Sequence, residues 1–376
     1  MNSGTSGRRI ELQLLNGLSD LFNTSMAAKL YALAVILLLI SIAGNAAAEE
    51  PQQCGSKSKG QCHDKSKALI LKTIALFAIL ITSMISVCLP MFSRKVSAFQ
   101  PGKNMFVIVK AFASGVILAT GYMHVLPDSF DCLTSECLPE HPWRKFPFTT
   151  FVAMLSAVLT LMVDSFSMSH YRKYLVRGAA RGEGDENAKN SSSQIEPFGY
   201  GHDIKTEDGL DDKDSQLLRY RVVAQVLELG IVVHSVVIGL SMGASDNPCT
   251  IRPLIIALCF HQLFEGMGLG GCILQAEYGM KMKATMVFFF SATTPFGIAL
   301  GIALSHIYSD DSPTALIVVG LLNAASAGLL NYMALVDLLA ADFMGTTLQA
   351  NVKLQMLSYI AVLFGAGGMS IIAIWA

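Results

Sequence analysis

From residue 68 onward the chain alternates between long apolar runs and shorter polar interruptions. The runs lie near 68–92, 104–127, 147–170, 220–243, 251–273, 284–307, 314–338 and 354–375. Each is about twenty residues or more, the length a helix needs to cross the hydrocarbon core of a bilayer. In lipid a continuous apolar run must satisfy its own backbone hydrogen bonds, which a helix does within one segment. The pattern therefore predicts an all-α membrane protein with eight transmembrane helices. Composition agrees: 52% of the 376 residues are hydrophobic and only 15% are charged, against about a quarter in soluble domains. A net charge of −1 gives no basic field for nucleic acid.

The first residues follow another pattern. An apolar core, AKLYALAVILLLISIA, carries Lys29 near its start and is followed by NAAAEE. Ala46-Ala47-Ala48 supplies a small-x-small cleavage pattern, so residues 1–48 read as a leader and secretory signal peptide. The alternative is a first membrane helix, for which the run is short. Either Met1 or Met26 is the start. The expected organisation is then an outer tail at 49–67, helices one to three over 68–170, a cytosolic linker at 171–219, and helices four to eight over 220–376. The linker is polar and rich in glycine and charge (RGAARGEGDENAKNSSSQ), the composition of a disordered segment.

Lysine and arginine orient the helices. Arg94, Lys95 and Lys103 lie between spans one and two, Arg172, Lys173, Arg177, Arg181, Arg219 and Arg221 between three and four, Lys281 and Lys283 between five and six, and Lys353 between seven and eight. The alternate loops are poorer in both residues, which places both mature termini outside. Cys54, Cys62, Cys132, Cys137 and Cys249 all fall on the outer, oxidising side, where 54–62 and 132–137 bridges are plausible pairings.

Ionisable groups inside a span are costly and point to function. Span four reads QVLELGIVVHSVVIGLSMG, with His234 midway and Ser235 beside it. Span five reads CFHQLFEGMGLGG, placing His261 and Glu265 one turn apart on a single helix face, with Gln262 adjacent. Two imidazoles and a carboxylate at one depth suit a first-row divalent cation. The bland reading is that His261 and Glu265 pair with each other inside a packed core; His234 on the neighbouring span tips the balance towards a ligand set. His124 and Asp128, four apart at the outer end of span two, read as a capture pair or an interfacial pair. Asp164 in span three is a stepping site or a structural carboxylate, and Glu228 in span four a lining residue of the way out. Asp337 and Asp342 read as interface residues. Glycines at 230, 239 and 243, and at 266, 268, 270 and 271, are expected to bring spans four and five close together. Pro295 is expected to kink span six.

HSVVIGLSMG at 234–243 with HQLFEGMGLGG at 261–271 resembles the ZIP (Zrt/Irt-like) family of metal-ion transporters. MHVLPDSF at 123–130, FFFSATTPFGIALGIAL at 288–304 and NYMALVDLLAADFM at 331–344 are similar to its plant zinc and iron branch. The resemblance implies a ZIP-type helix bundle, uptake of a divalent cation into the cytosol and a homodimer. It implies that His234, His261 and Glu265 are transport-site ligands, Ser235 and Gln262 accessory groups, and His124, Asp128 and Asp164 polar positions on the pathway. Relatives with a two-metal site carry a carboxylate where this chain has Ile238, so one metal is expected. The linker holds only His202, with His170 at its edge, which removes the histidine-rich repeat of plant members.

The resulting reading is a secondary transporter of Zn²⁺, with Fe²⁺ or Mn²⁺ as further cargo, in the plasma membrane. The metal is substrate, and no resident cofactor is called for. The chain lacks a phosphate-binding loop, so ATP drive is not supported. The rival classes are an intramembrane metalloenzyme, whose His-Glu-x-x-His helix is absent, and a metal sensor that transports nothing.

Overall fold

The computed structural model describes residues 64–93, 103–182, 212–304 and 313–374. The signal peptide, the 54–62 pairing and the middle of the cytosolic linker lie outside these residues.

Among the described residues, eight helices are long and apolar enough to cross a membrane. They are α1 (Lys65–Ser93), α2 (Asn104–Leu133), α3 (Phe148–Gly182), α4 (Asp212–Ala244), α5 (Pro248–Gln275), α6 (Met280–Leu304), α7 (Pro313–Phe343) and α8 (Val352–Ala373). α3 continues to residue 182 and α4 begins at 212, so helix occupies both ends of the stretch read as linker. Charged residues there keep good helix propensity, and composition alone does not mark where a helix leaves the membrane.

Burial sorts the helices into two shells. In α4, 78% of the most apolar window is buried, against 6% in α3 and 22% in α8. α4 and α5 form the centre, with α1, α6, α2 and α7 packed around them and α3 and α8 outermost. The outer faces carry large apolar side chains, among them Phe77, Phe166 and Phe364. In water such a surface would be an aggregation hazard; in lipid it is the solvent-facing side.

Glycine decides how close the helices come. A Cβ on Gly239 of α4 would stand 2.5 Å from the Thr294 carbonyl oxygen and 3.0 Å from the Gly297 Cα of α6. Gly243 and Gly301 face each other in the same way one turn on. Gly266 and Gly270 of α5 pack against Ser86 and Val87 of α1. Gly268 faces Ile117 of α2, and Gly230 faces Met333 of α7. These glycines therefore bring α4 to α6 and α5 to α1, which corrects the expectation of a close α4–α5 pair. The separation of α4 and α5 is set by the side chains standing between them. Pro295 lies inside α6, which stays helical from Met280 to Leu304.

The hairpin joining α4 to α5 is firmly held. Asn247 accepts a hydrogen bond from the Cys249 backbone N–H at 3.0 Å, and Pro248 occupies the first turn. This N-cap fixes where α5 begins and so which residues face inward halfway along it. Beside it, Asp246 binds the buried Lys72 of α1 at 3.3 Å. Cys137 and Cys249 are disulfide-bonded, whereas Cys132 is a free thiol, so the 132–137 bridge does not form. Cys132 lies on α2 against Gly320 of α7, held in the helix by packing.

Candidate metal site

His261 lies 13 residues from the first residue of α5 and 14 from the last, about 20 Å from either end at the helical rise. Glu265 follows one turn later on the same face. His234 comes from the facing side of α4. One ligand atom from each of the three lies within 4.8 Å of the other two. The imidazole centroids are 5.6 Å apart and their planes are tilted by 44°. Exposure is 1% for each histidine and 0% for Glu265.

Both nitrogens of each histidine and both oxygens of Glu265 lack a hydrogen-bond partner. An unsatisfied buried polar group costs about 1–3 kcal/mol, and more when charged. His261 and Glu265 do not satisfy each other, which removes the reading in which they are a structural pair. A divalent cation placed among these atoms would accept lone pairs from all three groups. Two neutral imidazoles and one carboxylate are a donor set that suits zinc and tolerates other first-row ions. The Ser235 hydroxyl and the Gln262 amide nitrogen are also buried without partners. Each lies next to a ligand candidate along the helix and offers a further polar atom at the same depth.

His124 is buried in a π-helical turn of α2 that runs Gly121–Val125. It is near enough to act electrostatically on both His234 and His261. Asp128, one turn outward, interacts with His124 and is exposed. A polar line thus runs from an exposed carboxylate through a half-way imidazole to the central cluster. The π-turn supplies one extra residue per turn, a device frequent at functional sites. A bare i, i+4 spacing does not reveal it.

On the opposite side of the cluster, Glu228 is fully buried on α4, two turns from His234. Asp164 is half-buried and accepts a hydrogen bond from the Tyr332 hydroxyl at 3.2 Å. Neither belongs to the central cluster. Asp337 and Asp342, read as interface residues, lie near the end of α7. Asp337 is 3% exposed, in a second π-helical stretch, Met333–Ala340. Asp342 forms a 3.0 Å ion pair with Lys110 of α2. Lys110 itself escaped the sequence reading. Its signal was available: a lone cation six residues into the apolar run MFVIVKAFASGVILAT.

Comparison with known proteins identifies the family. A family model described as ZIP Zinc transporter matches residues 69–373. Fe(2+) transport protein 1 of Oryza sativa subsp. japonica is 58% identical over 348 residues, covering 88% of this chain and 92% of the relative. Probable zinc transporter 10 of Arabidopsis thaliana is 58% identical over 352 residues, covering 91% and 96%. Zinc transporter 7 of the same species is 56% identical over 361 residues, covering 93% and 98%. The matched segment takes in all eight spans and every member of the buried cluster, and on that extent of agreement the chain belongs to the ZIP family of metal-ion transporters.

Proposed function

We propose that this chain is a secondary transporter that carries Zn²⁺ and Fe²⁺ into the cytosol through a single-ion site made by His234, His261 and Glu265, with Mn²⁺ as a further cargo. The observation that carries the reading is the set of unpartnered ligand atoms gathered within 4.8 Å at mid-helix depth. Relatives of similar identity bear zinc names and iron names, and a mixed His/Glu set admits both ions. Asp128 and His124 capture the ion and strip part of its water. The central cluster replaces the rest, with Ser235 and Gln262 as accessory donors. Glu228 or Asp164 receives the ion on the way out. The ZIP family is one of transporters, which sets aside the metalloenzyme reading.

Among the described residues, Cys137 in the loop after α2 and Cys249 in the first turn of α5 are disulfide-bonded, and both lie at the side assigned as oxidising by loop charge. This supports mature termini outside. The plasma membrane and the homodimer implied by the resemblance are parts of the same reading. Surface biotinylation and cross-linking test them.

The direct test is uptake of radioactive zinc and of radioactive iron by cells expressing the chain. Each should be taken up, and each should compete with the other. Cells that accumulate neither metal, despite the protein at their surface, would sink the proposal. Protons compete with the metal for imidazole and carboxylate. Zinc flux should therefore fall as the outer pH is lowered; a rise on acidification would mean that protons move with the metal instead.

A further inference from the structure

The end of the bundle away from Asp128 is shut by a buried cation. The Lys110 ammonium of α2 lies 3.0 Å from Asp342 Oδ1 of α7 and donates to Gln275 Oε1 of α5 at 3.3 Å. One group thus ties three helices together at the level where α5 ends. The Lys110 side chain is 5% exposed and that of Asp342 21%. Next to the pair is a cavity of about 10 Å³ lined by Lys110, Arg219, Tyr220, Cys272, Gln275 and Asp337 among others, so a second cation stands at its wall. That is room for at most about one water, and no hydrated ion passes through it. Asp337 faces this cavity with its Oδ2 unpartnered and the residue 97% buried, as its 3% exposure gives.

We propose that Lys110 is an internal counter-cation that latches the inner side of the pathway and is displaced by the transported metal. The proposal rests on the transport reading above. An ion leaving the central cluster meets the free Asp337 oxygen. Its two positive charges then stand beside the Lys110 ammonium, repel it and compete for Asp342. Lysine suits this role because it holds a carboxylate as a point charge on a flexible stem, so the bond can be exchanged. An apolar plug would shut the same space without responding to a cation. Once Lys110 withdraws, α2, α5 and α7 lose their common tie and the cavity can widen.

Cys272 lines the same cavity as a buried free thiol and serves as a built-in reporter. The experiment is alkylation of the purified full chain by N-ethylmaleimide in the presence of chelator, read at Cys272 by peptide mass spectrometry. Lys110→Met should raise the Cys272 rate by about tenfold or more, as the loss of a buried charge pair implies. Asp342→Asn should do the same, and the double variant should be no faster than either. Lys110→Arg, which keeps the charge, should stay near the wild-type rate. Cys88 and Cys259 are internal controls and should not change. The latch is overturned if Lys110→Met leaves Cys272 as slow as in wild type, if Lys110→Arg opens it equally, or if all three thiols accelerate together through general loosening. Because the readout needs no metal flux, a wild type that carries no zinc would refute the transport reading while leaving the labelling result to stand or fall separately.

Discussion

Zinc uptake by His261→Ala should fall by at least about a hundredfold from wild type at matched surface level, since even outer partners of a metal ligand are worth ten- to a hundredfold. The geometry explains the size. The cluster has three strong donors within 4.8 Å, and no other His, Cys, Asp or Glu among the described residues joins them as a fourth. Removing one leaves two donors and a void where a ligand stood. Glu265→Gln should be as severe, because it keeps the shape and removes the only anion of the set. Ser235→Ala and Gln262→Ala should cost less, since each removes an accessory atom. The same variants carry a second expectation of opposite sign. No protein group hydrogen-bonds the ligand atoms, so a site built for binding is locally unfavourable without its ion. The metal-free Glu265→Gln protein should melt no lower than wild type, and zinc should no longer raise its melting temperature. A drop in stability with uptake unchanged would make these residues structural.

The membrane architecture was legible because hydrocarbon thickness imposes a length and backbone hydrogen bonding imposes a helix. Eight apolar runs became eight helices among the described residues, with α3 and α4 extending well past their runs into the linker. The cluster was legible for a related reason: His234, His261 and Glu265 stand out only where their surroundings are apolar. What stayed hidden depends on partners across space. Gly239 and Gly266 announce close approach, but nothing in their own helices says that the neighbours are α6 and α1. Lys110 and Asp342 are 232 positions apart, so even though Lys110 stands out as a lone cation in its apolar run, its partner does not. The π-turns at Gly121–Val125 and Met333–Ala340 change the facing of His124 and Asp337 without any composition that marks them. Cys132 and Cys137 are near in sequence, yet their local spacing misassigned the bridge.

Gly239→Leu should prevent the protein from folding to a transport-competent state. α4 and α6 touch backbone to backbone along two successive turns. A Cβ on Gly239 would stand 3.0 Å from the Gly297 Cα, one on Gly297 would stand 2.7 Å from the Val236 carbonyl oxygen, and one on Gly301 would stand 2.8 Å from the Gly243 Cα. Backbone cannot rotate out of the way as a flexible side chain does, so a side chain here has to drive the helices apart. Overpacking a tight core costs about 1–3 kcal/mol for small additions and more for large ones. Gly239→Ala should therefore lower the melting temperature measurably, and Gly239→Leu should abolish surface expression. The loss of transport should exceed the loss of stability in the alanine variant. His234 lies five residues before Gly239 on the same helix, and any tilt of α4 away from α6 moves its imidazole relative to His261 and Glu265, which α5 holds against α1. Misplacement by about 1 Å at a reacting or binding centre is enough to cost a hundredfold. Gly279→Ala is the control, because nothing lies within 4 Å of the added carbon. Melting curves and zinc uptake on the three variants decide the matter. If Gly239→Leu reaches the surface and melts like wild type, the backbone contact between α4 and α6 does not hold the site, and another contact must fix the distance between His234 and its two partners.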